Sequence, residues 1–270
     1  MVLTAIVIPA RLGATRLPNK PLLALGNVPV VVRVMRQARK VPGIVDVVVA
    51  TDVEAIAVVV REHGGDAMLT NPDHQSGTDR VAEVARARGY DRVINLQGDE
   101  PFIDPRDLLA IAEALAKPGC DIATLKRPIR SREEILNPSV VKVVTRDDGE
   151  AMYFSRAPIP YDRSGKNDLT ASFRHIGVYG YNRAALERMT RETVHPLENC
   201  EGLEQLRALA LGLHIAVIPA LSIGHGIDTE ADLAWAREHV ARLGEAAFPQ
   251  GNMPEGNKPS AITDTAGVPS

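Results

Sequence analysis

Unbroken apolar runs that alternate with helix-period segments constrain this chain more than any other feature. VDVVVA (45–50) and RVINL (92–96) lack the strict apolar–polar alternation of a sheet with one wet face. Such runs suit strands covered on both sides. Strands are predicted at 5–8, 45–50, 92–96, 122–125, 140–145, 175–181 and 214–218. Helices are predicted at 30–40, 53–62, 79–88, 106–116, 184–190, 203–211 and 230–243. Strand–helix alternation through the first half implies parallel βαβ units with right-handed crossovers. The fold class is therefore α/β, a mixed and mostly parallel sheet flanked by helices. From about Lys126 to Tyr181 strands dominate and Pro128, Pro138, Pro158 and Pro160 cluster. That stretch reads as a smaller β-rich insertion, either a substrate lobe or a dimerisation arm. Residues 1–245 form one domain on this reading, a size that one large core can serve. Residues 246–270 are rich in Pro, Gly and polar residues without periodicity, and a disordered tail is expected there.

Thirty-four acidic against 31 basic residues give a net charge of −3. General nucleic-acid or acidic-membrane binding is thereby disfavoured, and any basic function must be local. Two cysteines, Cys120 and Cys200, make neither a disulfide framework nor a zinc site and suit a reducing cytoplasm. No segment approaches the roughly 20 apolar residues of a membrane span. The run at 2–9 is too short for a secretory leader and passes straight into Arg11.

Chemistry concentrates in loops that follow strands. IVIPARLGATRLPNKP (6–21) runs from an apolar strand into a loop with Arg11, Gly13, Arg16 and Lys20. Backbone N–H groups and cations in such a loop converge on phosphate oxygens. It is not a Walker loop, because Pro21 follows Lys20, nor a dinucleotide fingerprint, because Gly13 stands alone. An ordinary βα turn with surface cations is the competing reading. NLQGDEP (95–101) places Gln97, Asp99 and Glu100 beyond a strand's C-terminal end, where open α/β sheets bind ligands. Asp99 suits a divalent cation there, or else the two carboxylates begin the next helix. In HGIDTEADL, Asp228 fits a second metal carboxylate, but Asp228 or Thr229 fits equally an N-cap with Asp232 completing a capping box. In HQSGTDR (74–80), Ser76, Gly77 and Thr78 can direct N–H groups to a base or phosphate, while Asp79 also suits an N-cap. YFSRAPIP (153–160) sets Arg156 amid aromatics and prolines. RHIGVYGY (174–181) alternates, with His175 and Tyr179 on one face and Arg174 on the other. LEQLR (203–207) exposes Glu204 and either Gln205 or Arg207.

Taken together, IPARLGATRLPNKPL, ATD, HQSGTDR, NLQGDEP, NPSVVKVV, YFSRAPIP, RHIGVYGY, PLE, LEQLR and GIDTEADL resemble the CMP-Kdo synthetases, in that family's order. These enzymes are cytidylyltransferases acting on 3-deoxy-manno-octulosonate (Kdo). The likeness spans about residues 5–240 and implies a nucleotide-diphospho-sugar transferase-like fold. It implies a magnesium-dependent transfer of CMP from CTP to a keto-sugar acid by a cytoplasmic homodimer, for lipopolysaccharide or capsule synthesis. On this resemblance Ala10, Arg11, Lys20, Ser76, Gly77 and Gln97 would meet CTP. Arg11, Lys20 and Asp99 would carry catalysis, and Asp99 and Asp228 would hold Mg²⁺. Arg156, His175, Tyr179, Glu204 and Gln205 would surround the sugar acid, with Arg174 competing for its carboxylate. Asn199, Cys200, Gly202 and His225 depart from the family's usual residues, all in the acceptor half. Transfer of CMP to a different acid, and nucleotide binding without turnover, are the alternatives.

Overall fold

The computed structural model describes residues 2–13, 16–166, 168–221 and 224–251. Strand β1 (Thr4–Ala10) shows why the sheet has helices on both faces. Its Ala5 and Val7 pack into one apolar cluster, while Ile6 and Ile8 pack into another. The strand Asp46–Thr51 repeats the division, with Val48 and Ala50 on the first side and Val49 on the second. A strand whose alternate side chains both meet a core needs apolar residues throughout, as the sequence supplies.

Between them, in chain order, lie β2 (Ala24–Leu25) and β3 (Val28–Pro29), which pair only with each other, and helix α1 (Val30–Ala38). Then come β4 (Asp46–Thr51), α2 (Glu54–Glu62), β5 (Asp66–Leu69), α3 (Gly77–Arg88), β6 (Arg92–Asn95) and α4 (Pro105–Leu115). The second half holds β7 (Ile122–Pro128), α5 (Arg132–Leu136), β8 (Lys142–Thr145), β9 (Ala151–Ser155) and β10 (Phe173–Asn182). It closes with α6 (Arg183–Arg191), α7 (Pro196–Glu201), α8 (Gln205–Ala210), β11 (Ile215–Pro219) and α9 (Glu230–Leu243).

The main sheet runs β11-β7-β10-β6-β1-β4-β5. All neighbours are parallel except β10, which is antiparallel to both β6 and β7. Helices α1, α2 and α4 cover one face, and α3, α6 and α8 the other. The β-rich stretch expected at about 126–181 takes the form of the β8–β9 hairpin, which joins the main sheet where β8 pairs with Phe173 and Arg174 of β10. A bulge between Ile176 and Tyr179 bends β10 at this point.

A third cluster joins α9 to the first loop: Leu17, Leu25 and Phe102 meet Leu233, Ala236 and Phe248. Phe248 stacks on Phe102 and lies under the Arg33 guanidinium. Ala247 and Phe248 are buried, so the packed chain continues past residue 245. The rest of the expected tail, 252–270, lies outside the described residues.

Candidate active site

Two strand ends, a 3₁₀ turn, one helix start and one loop converge on a cleft of about 400 Å³. Ala10 and Arg11 come from the end of β1, and Lys20 from a 3₁₀ turn (Lys20–Leu22) behind it. Ser76 and Gly77 open α3, while Gln97 and Asp99 follow β6. Asp228 reaches in from the loop before α9. Thus the structure brings every residue expected at nucleotide and metal, from Ala10 to Asp228, to one cleft. Gly98 allows the β6 loop to approach β1: a Cβ there would stand 3.0 Å from the Pro9 carbonyl oxygen.

Helix caps settle which carboxylates are free. Asp104 caps α4, its carboxylate accepting from Arg106 N at 2.9 Å, with Pro105 at the first turn. Asp99 and Glu100 therefore do not begin that helix. Ser76, not Asp79, caps α3, accepting from Asp79 N at 3.1 Å. Thr229 caps α9 in a capping box with Asp232, which leaves the Asp228 carboxylate to the cleft.

The Lys20 ammonium donates to Asp99 and, at 3.0 Å, to Asp228. Burial pulls its pKa down, but the two carboxylates together outweigh burial and hold it above the ordinary lysine value. Two carboxylates thus converge on one point, which the Lys20 ammonium occupies. Among the described residues no three His, Cys, Asp or Glu side chains cluster for a metal. Mg²⁺ takes one or two carboxylates and completes its shell with phosphates and water. Glu100, behind Asp99, is pushed up to about 8, first by burial and then by Asp99 and Asp228.

A second cavity, of about 320 Å³, lies on the other side of the same two loops: Asp99 and Asp228 line the first, Glu100 and Gly226 the second. His175, Tyr179 and Gln205 line it, together with Arg174 and Ser139. Burial, reinforced by Arg174, pushes His175 down to about 3, so its imidazole is neutral. The Thr124 hydroxyl donates to Val178 O at 2.8 Å, so His175 Nε2, 2.9 Å away, acts as donor to Thr124. Arg156 and Glu204 stand beside this cavity rather than on its wall. The Arg156 guanidinium donates to the carbonyls of Glu201, Gly202 and Pro138. Arg207 is internal, paired with Glu198 at 3.1 Å, which leaves Gln205 as the polar LEQLR residue on the cavity wall, beside Leu203.

Sequence reasoning passed over three residues here. His74 and Arg80, from HQSGTDR itself, line the first cleft. Lys142, in NPSVVKVV, is fully buried. Its ammonium donates to the carbonyls of Asn137 (3.0 Å), Val140 (2.6 Å) and Arg156, fastening the loop that carries Ser139 to the end of β9. Lys142→Met would leave these carbonyls without their donor. It should lower unfolding free energy by about 3 kcal/mol in a urea titration. Unchanged stability would mean that water replaces the ammonium.

The chain matches the cytidylyltransferase family model over residues 5–215. This chain belongs to the cytidylyltransferases. A 3-deoxy-manno-octulosonate cytidylyltransferase of Acinetobacter baumannii is 46% identical over 238 residues, 84% of this chain and 94% of that protein. Its counterpart in Rhodopseudomonas palustris is 47% identical over 246 residues, 88% of this chain and 98% of that protein. A solved CMP:2-keto-3-deoxy-manno-octonic acid synthetase, in complex with CTP, is 40% identical with a TM-score of 0.84. That match covers 89% of this chain and 99% of the other. Among the described residues no helix is long and apolar enough to cross a membrane.

Proposed function

We propose that this cytidylyltransferase transfers CMP from CTP to the anomeric hydroxyl of 3-deoxy-D-manno-octulosonate and releases pyrophosphate. The observation that carries the reading is one cation-lined cleft adjoining a second cavity across the Asp99–Glu100 and Gly226–Asp228 segments. Such adjacency presents an acceptor hydroxyl to a nucleotide phosphorus, and phosphoryl-transfer catalysis is mostly positioning and charge stabilisation.

Arg11 and Lys20 counter the triphosphate and stabilise the charge that develops on the departing pyrophosphate. The N–H groups at the start of α3, beside Ser76 and Gly77, add the positive end of a helix dipole. Ala10 and Gln97 flank the cytidine. Asp99 and Asp228 would hold Mg²⁺, which when bound neutralises phosphate charge and acidifies a coordinated hydroxyl. In the second cavity neutral His175, Tyr179 and Gln205 bond sugar hydroxyls, with Glu204 beside them. Arg156 and Arg174 supply positive charge for the acid's carboxylate. A homodimer belongs to the same reading on the family resemblance alone, and a cytoplasmic setting on that resemblance and on two unpaired cysteines.

Pyrophosphate release tests this directly, with CTP and magnesium against Kdo, other keto-sugar acids and small phosphonates in parallel. Release with Kdo well above every other acceptor is expected. Release with another acid alone would move the acceptor assignment, and CTP binding without release would indicate a regulator.

A further inference from the structure

Thr78 follows Ser76 and Gly77 in the first turn of α3, yet it does not line the nucleotide cleft. It is buried, and its hydroxyl donates to Glu204 Oε2 at 2.6 Å across a separation of 126 residues. A short O–H···O⁻ contact of this kind is a charge-assisted hydrogen bond. The same hydroxyl interacts with the Tyr181 phenol. Glu204 precedes α8 without capping it by its side chain. Among the described residues Thr78 supplies the one hydrogen bond to its carboxylate, and Oε1 is left for another donor. Besides burial and Tyr181, Glu204 lies close enough to raise the pKa of the half-buried Tyr179, which lines the acceptor cavity. The next residue, Gln205, is buried and lines that cavity too.

One hydrogen bond therefore ties the helix that begins at the nucleotide cleft to the helix that presents the acceptor groups. We propose that Thr78 is a positioning residue for the sugar acid. Its hydroxyl fixes the Glu204 carboxylate, with Oε1 directed to a sugar hydroxyl, and anchors α8 against α3. This rests on the assignment of the two cavities given above. Without the hydroxyl, the carboxylate loses its orientation and a buried charge-assisted bond, and the loss falls on the acceptor rather than on CTP.

The test varies CTP and Kdo separately in steady-state pyrophosphate release, on the full chain. Thr78→Val keeps the β-branched shape and deletes the hydroxyl; Thr78→Ala is a second deletion should the valine variant fold poorly. The expected result is a rise of roughly tenfold or more in KM for Kdo, with KM for CTP within about twofold. Thr78→Ser, which keeps the hydroxyl, should restore KM to within about threefold of the parent. Glu204→Gln should also raise KM for Kdo, and adding Thr78→Val to it should cost little more, as for residues acting as one unit. A normal KM for Kdo in both hydroxyl deletions, with Glu204→Gln impaired, overturns the role of Thr78 and leaves the acceptor site standing. An equal loss towards CTP and Kdo also overturns it. If Glu204→Gln itself leaves KM for Kdo unchanged, the acceptor assignment fails and takes this role with it.

Discussion

Asp99→Asn should turn over roughly a thousandfold more slowly than the parent while keeping its fold. Asparagine preserves shape and can still accept from Lys20. It removes the charge that would share a divalent cation with Asp228 and that fixes the Lys20 ammonium beside the triphosphate. The fold survives because the local backbone does not use that charge. Ile227 N donates to the Asp99 carbonyl at 2.9 Å, a bond that the substitution leaves in place. Glu100 gives an independent readout. Its carboxyl, ordinarily near 4.5, titrates at about 8 in the folded protein. A group that holds its proton more tightly when folded favours the folded state at low pH. That contribution is lost as pH rises from 4.5 towards 8. Removing the Asp99 charge weakens one cause of the shift, so the variant's melting temperature should fall less steeply across that window. Turnover within about tenfold of the parent would remove Asp99 from the reacting centre.

How far the fold was legible depended on burial and length. The strands at the sheet centre were readable because a strand enclosed on both faces must be apolar throughout, as Ile6 to Ile8 and Val47 to Ala50 are. Strand β5, DAML, escaped notice: it is short, at the sheet edge, and ends in the exposed Leu69. Helices α5 and α7 span five and six residues, too few for a 3.6-residue period to register. Strand β9, AMYFS, had no strand predicted over it; it overlaps the start of YFSRAPIP and ends before Pro158. Nothing in the pattern announced that β10 would run antiparallel between β6 and β7. Strand order is decided by tertiary packing, not by any local run.

The site was legible wherever a loop directly followed an apolar strand, since chain direction alone brings such loops to one sheet edge. What the sequence left open were choices between a cap and a ligand. Asp228 and Thr229 are both acceptable N-caps, and only the hydrogen bond from Asp232 N to Thr229 Oγ1 frees the aspartate. Arg156 and Arg174 were likewise open as partners of a carboxylate. Arg174 lines the second cavity, while the Arg156 guanidinium holds three backbone carbonyls beside it. Lys142 left no signal, because a lysine within an apolar strand looks solvent-facing until its carbonyl partners are known. Phe248 is the one aromatic residue in the last 25, and a lone aromatic was a weak sign that the chain packs past residue 245.

Lys20→Met should lose about a hundred- to a thousandfold in kcat/KM for CTP. Burial opposes the lysine's charge, but Asp99 and Asp228 more than compensate, so the ammonium stays protonated at any working pH. The substitution therefore removes a full positive charge from the nucleotide cleft. It also leaves Asp99 and Asp228 facing each other; among the described residues the other ion pair they make is with Arg16, 3.8 Å from Asp228 and largely exposed. An exposed pair of that kind contributes little. The carboxylate pair then becomes an open cation site, and magnesium should stabilise the variant more than the parent, where the ammonium competes for the same oxygens. At a hundredfold excess over Kd the gain is about 2.7 kcal/mol, or roughly 5 °C in melting temperature for a chain of this size. Adding Asp99→Asn should abolish the gain, since one carboxylate then remains. Thermal melts of the four proteins, with and without magnesium and with no nucleotide present, read this independently of turnover. If magnesium leaves Lys20→Met unmoved, or shifts the double variant equally, Asp99 and Asp228 do not form a divalent-cation site, and the catalytic weight of the cleft falls on Arg11 and Lys20.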